Sequence, residues 1–144
     1  MKLVVQRVTE ASVSVEQTIV GKIGNGYLVL LGVGAQDTEE VTRKLADKLI
    51  KIRIFADADG KTNLSIKDVD GEILVISQFT LYADCKKNRP SFCHAANPEL
   101  AEYLYQVFIE QLRKQIPSVQ QGIFGADMQV CLCNDGPFTV LLEA

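Results

Sequence analysis

Apolar and polar residues roughly alternate from Leu3 to Val15. Leu3, Val5, Val13 and Val15 share one parity among mostly polar neighbours, which predicts a long strand with one buried face. Arg7 sits on that same inward parity. Burying it unpaired is costly, so either a partner group meets it inside or a bulge, such as one near Ala11, turns it to water. Thr18–Ile23 predicts a second strand, Gly24-Asn25-Gly26 a turn, and the nearly unbroken apolar run Tyr27–Val33 a strand covered on both faces. At Asp37 the period changes. Glu40 follows in the position of a capping box, and Val41, Leu45, Leu49 and Ile52 form one helical face.

Ile52–Phe55 returns to strand, and Asp70-Gly71 leads into a further apolar strand, Ile73–Ile76. Asp57-Ala58-Asp59-Gly60 reads as a turn, because its glycine comes too early for a calcium loop and no glutamate closes the pattern. Asp84–Asn97 has no clear period. It predicts a loop of about a dozen residues, long enough to suspect a function. Asn97-Pro98 then combines a capping side chain with proline in the first turn. Leu100, Leu104, Val107, Phe108 and Leu112 line the face of that helix, and Pro117 stops it. Two last strands, Met128–Cys133 and Phe138–Leu142, flank Asn134-Asp135-Gly136-Pro137-Phe138-Thr139. Two helices and about seven strands predict an α/β fold. Its sheets are mixed, mostly antiparallel, and form a sandwich or partly closed barrel, in a single domain over residues 1–144.

Composition narrows the function classes. Hydrophobic residues make up 47% of the 144, enough for a substantial core. No apolar run is long enough to span a bilayer, and the N-terminus lacks signal-peptide features, so a soluble, cytoplasmic protein is expected. A disulfide framework is then a poor fit for Cys85, Cys93, Cys131 and Cys133, and their spacing matches no common zinc pattern. Net charge is −3, which argues against gripping a long nucleic-acid backbone but allows contact with a short single-stranded end. Local basic groups stand at Lys48, Lys51 and Arg53, at Lys86, Lys87 and Arg89, and at Arg113 and Lys114. Each is read as a solvated face.

Conventional catalytic motifs are missing. There is no P-loop, G-x-G-x-x-G, G-x-S-x-G or H-E-x-x-H, and the one histidine, His94, has no obvious orienting carboxylate. Ser77 and Thr80 close the buried strand Ile73–Ile76 with hydroxyls that lack an activating base. The stretch Asn134–Thr139 stays open between two readings. Asn-Asp-Gly suits an ordinary turn, whereas Pro137 removes a donor, fixes φ and allows a cis Gly136-Pro137 bond, making a rigid main-chain probe.

Read together, Ser77-Gln78-Phe79-Thr80-Leu81 and Asn134-Asp135-Gly136-Pro137-Phe138-Thr139 resemble the two signature motifs of the D-aminoacyl-tRNA deacylases. Val5-Gln6-Arg7-Val8, Arg89-Pro90-Ser91-Phe92 and Phe124-Gly125-Ala126-Asp127-Met128 extend the likeness over essentially the whole chain. Phe138 departs from it, standing where many relatives carry a smaller β-branched residue. The resemblance implies a homodimer that hydrolyses the ester joining a D-amino acid, or glycine, to the 3′ end of tRNA, without cofactor or metal. It implies that Gly136 and Pro137, joined by a cis bond, enter the partner subunit's pocket and face Ser77, Gln78, Phe79 and Thr80. Backbone donors at Phe79 and Thr80 would stabilise the oxyanion, and the substrate's ribose 2′-OH would assist in place of a side-chain nucleophile. Gln78 is expected to orient the substrate or its ribose, or else to be only structural. The inward charge of Arg7 is expected to hold the loop carrying Gly136, and Phe124 and Met128 are expected to line the adenosine pocket or simply to pack in the core. The rival expectations are a non-catalytic, oligomeric ligand-binding module and a related editing domain that prefers L-amino acids.

Overall fold

The structure, a computed structural model, describes residues 1–144. In chain order the elements are β1 (Lys2–Val15), β2 (Thr18–Ile23), β3 (Gly26–Gly32), α1 (Glu39–Lys51), β4 (Arg53–Ala56), β5 (Thr62–Ser65) and β6 (Glu72–Ser77). A 3-10 turn (Phe79–Tyr82), α2 (Pro98–Arg113), β7 (Val119–Gln121) and β8 (Gln129–Glu143) complete the chain. No helix is long and apolar enough to cross a membrane.

β1 is the spine. Its first half pairs with β3, its second half with β2, and β8 runs antiparallel along the opposite edge of both halves. β6 joins β3 in parallel and β7 joins β6 in parallel, giving a six-stranded mixed sheet; β4 and β5 form a separate antiparallel pair. The sheet curls until β2 meets β7. A Cβ on Gly21 would stand 3.0 Å from the Gln121 carbonyl oxygen, so glycine is what lets the two strands approach and nearly close a barrel. This is the α/β, partly closed barrel the pattern predicts.

Two cores fill the fold. Leu3, Val5, Tyr27, Val29, Ile73 and Val75 pack with the helices through Leu45, Leu49, Leu104, Phe108 and Leu112. Val8, Ala11, Val13, Ile23, Leu28, Leu74 and Ile76 fill the barrel interior. Strict alternation in β1 predicts one buried face throughout, and here the structure differs. The pairing of β1 with β8 slips on either side of Val8, so Leu3 and Val5 face the helices while Val8 and Val13 face the barrel. The irregularity falls at Val8 rather than near Ala11, and Arg7 keeps its inward position.

Asn97 caps α2 as expected, its Oδ1 accepting the Leu100 N–H at 2.9 Å with Pro98 opening the helix. α1 is capped by Thr38 instead of Asp37. The Asp37 carboxylate is drawn elsewhere, accepting the Gly34 N–H at 2.6 Å and pairing with the Met1 amino group. The two final strands prove to be one. β8 continues through Asn134–Thr139 without reversing, and that stretch is a bulge within a strand, not a connection between strands.

Candidate active site

β6 runs beside β3 in parallel, and a cavity of about 520 Å³ opens beyond the C-terminal ends of both. Ile76 and Ser77 end β6, Gln78 and Phe79 begin the 3-10 turn, and Pro98 and Ala101 belong to the first turns of α2. The segment after β7, Phe124 to Met128, closes the far wall. The Gln78 N–H donates to the Leu31 carbonyl at 2.7 Å, pinning the turn to the end of β3. The lining is mainly apolar, and Asp127 is its one ionisable side chain.

Ser77, Gln78, Phe79, Phe124 and Met128 thus converge on one cavity. Thr80 does not line it. Its side chain is exposed, and its Oγ1 accepts from Gln78 Nε2 at 2.5 Å. His94 lies in a different cleft, with Lys2, Tyr82 and Cys93. Asp127, Val33 and Ala96 are lining residues that the sequence reading does not single out. Asp127 had a signal, since it lies inside the segment Phe124–Met128 that carries part of the family resemblance.

The second motif stands apart. On β8, Thr139 pairs with Gln6 and Asn134 with Val8, so Asp135 to Phe138 stand opposite Arg7 alone. The Gly136–Pro137 bond is cis, and both residues are exposed. The side chains of Arg7 and Asn134 order this bulge. Arg7 Nε donates to the Asp135 carbonyl at 3.0 Å while its Nη1 donates to the Ile54 carbonyl at 2.7 Å. The Arg7 guanidinium also lies over the Phe138 ring, 4.8 Å from its centroid. Asn134 Oδ1 accepts the Phe138 N–H, and its Nδ2 donates to Thr139 Oγ1, each at 2.9 Å. The Arg7 side chain is only 14% exposed, so the inward cation has the partners that its parity demands. Neither Gly136, Pro137 nor Arg7 touches the cavity of its own chain.

The family profile described as D-Tyr-tRNA(Tyr) deacylase matches residues 4–143. One solved structure, described as c-Myc DNA Unwinding Element Binding Protein, superimposes with a TM-score of 0.95 at 45% identity, covering 100% of this chain and 99% of that one. A second, described as a probable eukaryotic D-amino acid tRNA deacylase, gives a TM-score of 0.84 at 18% identity, covering 98% and 97%, and shows the shared fold. The chain belongs to the D-Tyr-tRNA deacylase family, hydrolases that act on the ester bond of aminoacyl-tRNA.

Gly122 borders the cavity from behind, and a Cβ there would come within 2.6 Å of Met128 Sδ. Because Met128 is flexible, Gly122→Ala is expected to push its side chain into the cavity at a cost of about 1 kcal/mol in stability. Turnover of a D-aminoacyl-tRNA should fall about tenfold or more, since small displacements of a positioned substrate are felt strongly. Melting curves and kcat/KM measured side by side check both halves.

Proposed function

We propose that this chain acts as a homodimeric chiral proofreader, the bulge of one protomer completing the cavity of the other. The observation that carries this reading is a mismatch within a single chain. The Asp135–Phe138 bulge is tied down by Arg7 and Asn134, yet Gly136 and Pro137 at its tip are exposed and stand outside the cavity of their own chain. The cavity, conversely, has a binding wall and no such probe. β8 also carries Leu132 and Leu141 exposed, apolar surface that suits contact with a second copy.

In the completed site, main-chain carbonyls at Gly136 and Pro137 receive the substrate's ammonium group and occupy the volume into which an L side chain would project. A D side chain points away and is not inspected, so many D-amino acids are accepted. Glycine projects nothing and is accepted too. Rejecting L-substrates by about 10⁴ takes about 5.5 kcal/mol, more than one lost methylene contact supplies. A steric clash reaches that figure only if the backbone cannot yield, and Arg7 supplies the restraint.

Phe124 and Met128 offer an apolar wall to the terminal adenine, and Gln78 orients the ribose. The Phe79 and Thr80 amides open the 3-10 turn, where N–H groups lack intrahelical acceptors, and they receive the oxyanion. Water adds to the ester carbonyl, the C–O3′ bond breaks, and the ribose 3′-oxygen leaves with a proton. Neither Thr80 nor His94 is placed to act as a nucleophile or base, and Asp127 is the one carboxylate at the cavity. Thr80 Oγ1 is engaged by Gln78, and His94 lies outside the cavity. In this reading the substrate's own 2′-OH assists.

The relative described as a DNA unwinding element binding protein favours a second reading, contact with a DNA strand. The net charge of −3 gives that reading little electrostatic support.

Wild-type protein is expected to release D-tyrosine from D-tyrosyl-tRNA and glycine from glycyl-tRNA while sparing L-tyrosyl-tRNA. Arg7→Ala should lower discrimination between the enantiomers by about tenfold or more. Undiminished L-rejection in that variant removes Arg7 from the account, and release of neither amino acid by wild type removes the enzyme. For the chemical step, Thr80→Ala should keep kcat within about tenfold. A substrate ending in 2′-deoxyadenosine should lose about 10² or more. The opposite pattern would make Thr80 the nucleophile.

A further inference from the structure

Residues Asp84–Ala96 are fastened at both ends. Asp84 and Ser91 exchange both backbone hydrogen bonds, at 2.7 and 2.9 Å, and the Asp84 carboxylate accepts the Lys86 N–H at 3.0 Å. At the other end Ala96 N–H donates to the Val33 carbonyl at 2.9 Å, and both of those residues line the cavity. A small hairpin therefore stands out from the cavity rim with Lys86, Lys87 and Arg89 at its tip, all exposed. Lys87 and Arg89 have no ion-pair partner, and Lys86 has only a long one, 3.8 Å from Asp84, with its side chain 89% in water. In a chain of net charge −3 this is a local reversal of sign.

A second observation joins this tip to the site. Phe92 directly follows the closing pair of the hairpin and meets Phe79 edge-on at 4.9 Å between ring centroids. The rings remain 37% and 54% exposed, and Phe79 lines the cavity. Core packing explains neither ring. Arg89 stands three residues before Phe92, and the Asp84–Ser91 pair folds Lys86 and Lys87 back into the same tip, so an aromatic platform at the cavity mouth adjoins three cations. Stacking faces beside a basic track are what single-stranded nucleic acid requires.

We propose that Phe92, with the rim face of Phe79, and the Lys86, Lys87 and Arg89 tip seat the single-stranded 3′ tail of the tRNA. The rings stack on bases next to the terminal adenosine, and the cations pair with the phosphates linking them. This rests on the deacylase reading, which puts that adenosine in the cavity. It adds a determinant that separates tRNA from a bare aminoacyl ester.

The test compares D-tyrosyl-tRNA with the D-tyrosyl ester of adenosine, which has no tail. A Lys86→Ser, Lys87→Ser, Arg89→Ser variant should raise KM for the tRNA about tenfold at low salt, with kcat and the adenosine ester unaffected. Three lost phosphate contacts should also reduce the slope of log KM against log salt by about 2, at roughly 0.7 per single-strand phosphate. Phe92→Leu should raise KM for the tRNA and leave the salt slope alone. A triple variant with wild-type KM and slope on tRNA overturns the proposal. So does one equally impaired on both substrates, which marks a structural loop or a surface for an unrelated acidic partner. If wild type hydrolyses neither substrate, the deacylase reading falls and takes this one with it. If wild type hydrolyses both and the variants match it, only the tail seat falls.

Discussion

Arg7 carries a cation to the inner side of the central strand, and two backbone carbonyls make that placement tolerable. One belongs to Ile54 in β4, the other to Asp135 in β8, at 2.7 and 3.0 Å. A charged hydrogen bond contributes about 1.5–3 kcal/mol, and removing either acceptor would leave a largely buried donor unsatisfied. The guanidinium therefore couples parts of the chain far apart in sequence. It fixes the direction of the bulge from below while the Asn134 side chain fixes it from within. A bulge restrained on both sides can work by steric exclusion. A mobile one could not, because in the proposed role it would yield to an L side chain.

The cavity complements that device by what it omits. Its walls come from strand ends, a 3-10 turn and the start of a helix, so its backbone is held by the main sheet through bonds such as Gln78 N–H to Leu31. Its lining offers hydrophobic surface, an amide, one hydroxyl and one carboxylate, with no histidine or cysteine. Such a lining suits positioning a substrate, and positioning alone can supply much of a barrier. In the proposed mechanism, reading stereochemistry with main-chain atoms and borrowing a hydroxyl from the ribose share one logic: neither needs a reactive side chain that would also attack the correctly charged L-aminoacyl-tRNA.

Much of this was legible in the sequence where the signal is local. Asn97-Pro98 and the apolar period after it locate α2 from capping chemistry alone, and the inward parity of Arg7 foretells a buried partner. Features created by pairing were not legible. β7 is three residues long and exists because β6 offers it an edge, and β5 exists because it pairs with β4. The change of face at Val8 follows from the slipped register with β8, which no single strand can reveal. Asp37 looked like the cap of α1, but tertiary partners claimed it and Thr38 took the role. For the site, the motifs marked Ser77–Phe79 and Phe124–Met128, whereas their meeting across one cavity depends on where β6 ends. Thr80, adjacent in sequence and second in the 3-10 turn, keeps its side chain exposed outside that cavity and engaged by Gln78.

The central claim is that one protomer's bulge polices the other's cavity, and subunit mixing tests it most directly. Ala126→Trp should block the cavity while leaving the bulge intact; Arg7→Ala should loosen the bulge while leaving the cavity intact. With the blocked variant in excess, each open cavity is paired with an intact bulge from its partner. The account predicts that D-over-L selectivity of the mixture climbs from the Arg7→Ala level back to that of wild type. Selectivity that stays at the Arg7→Ala level after subunit exchange would contradict it, because the bulge would then be acting on its own chain or not at all.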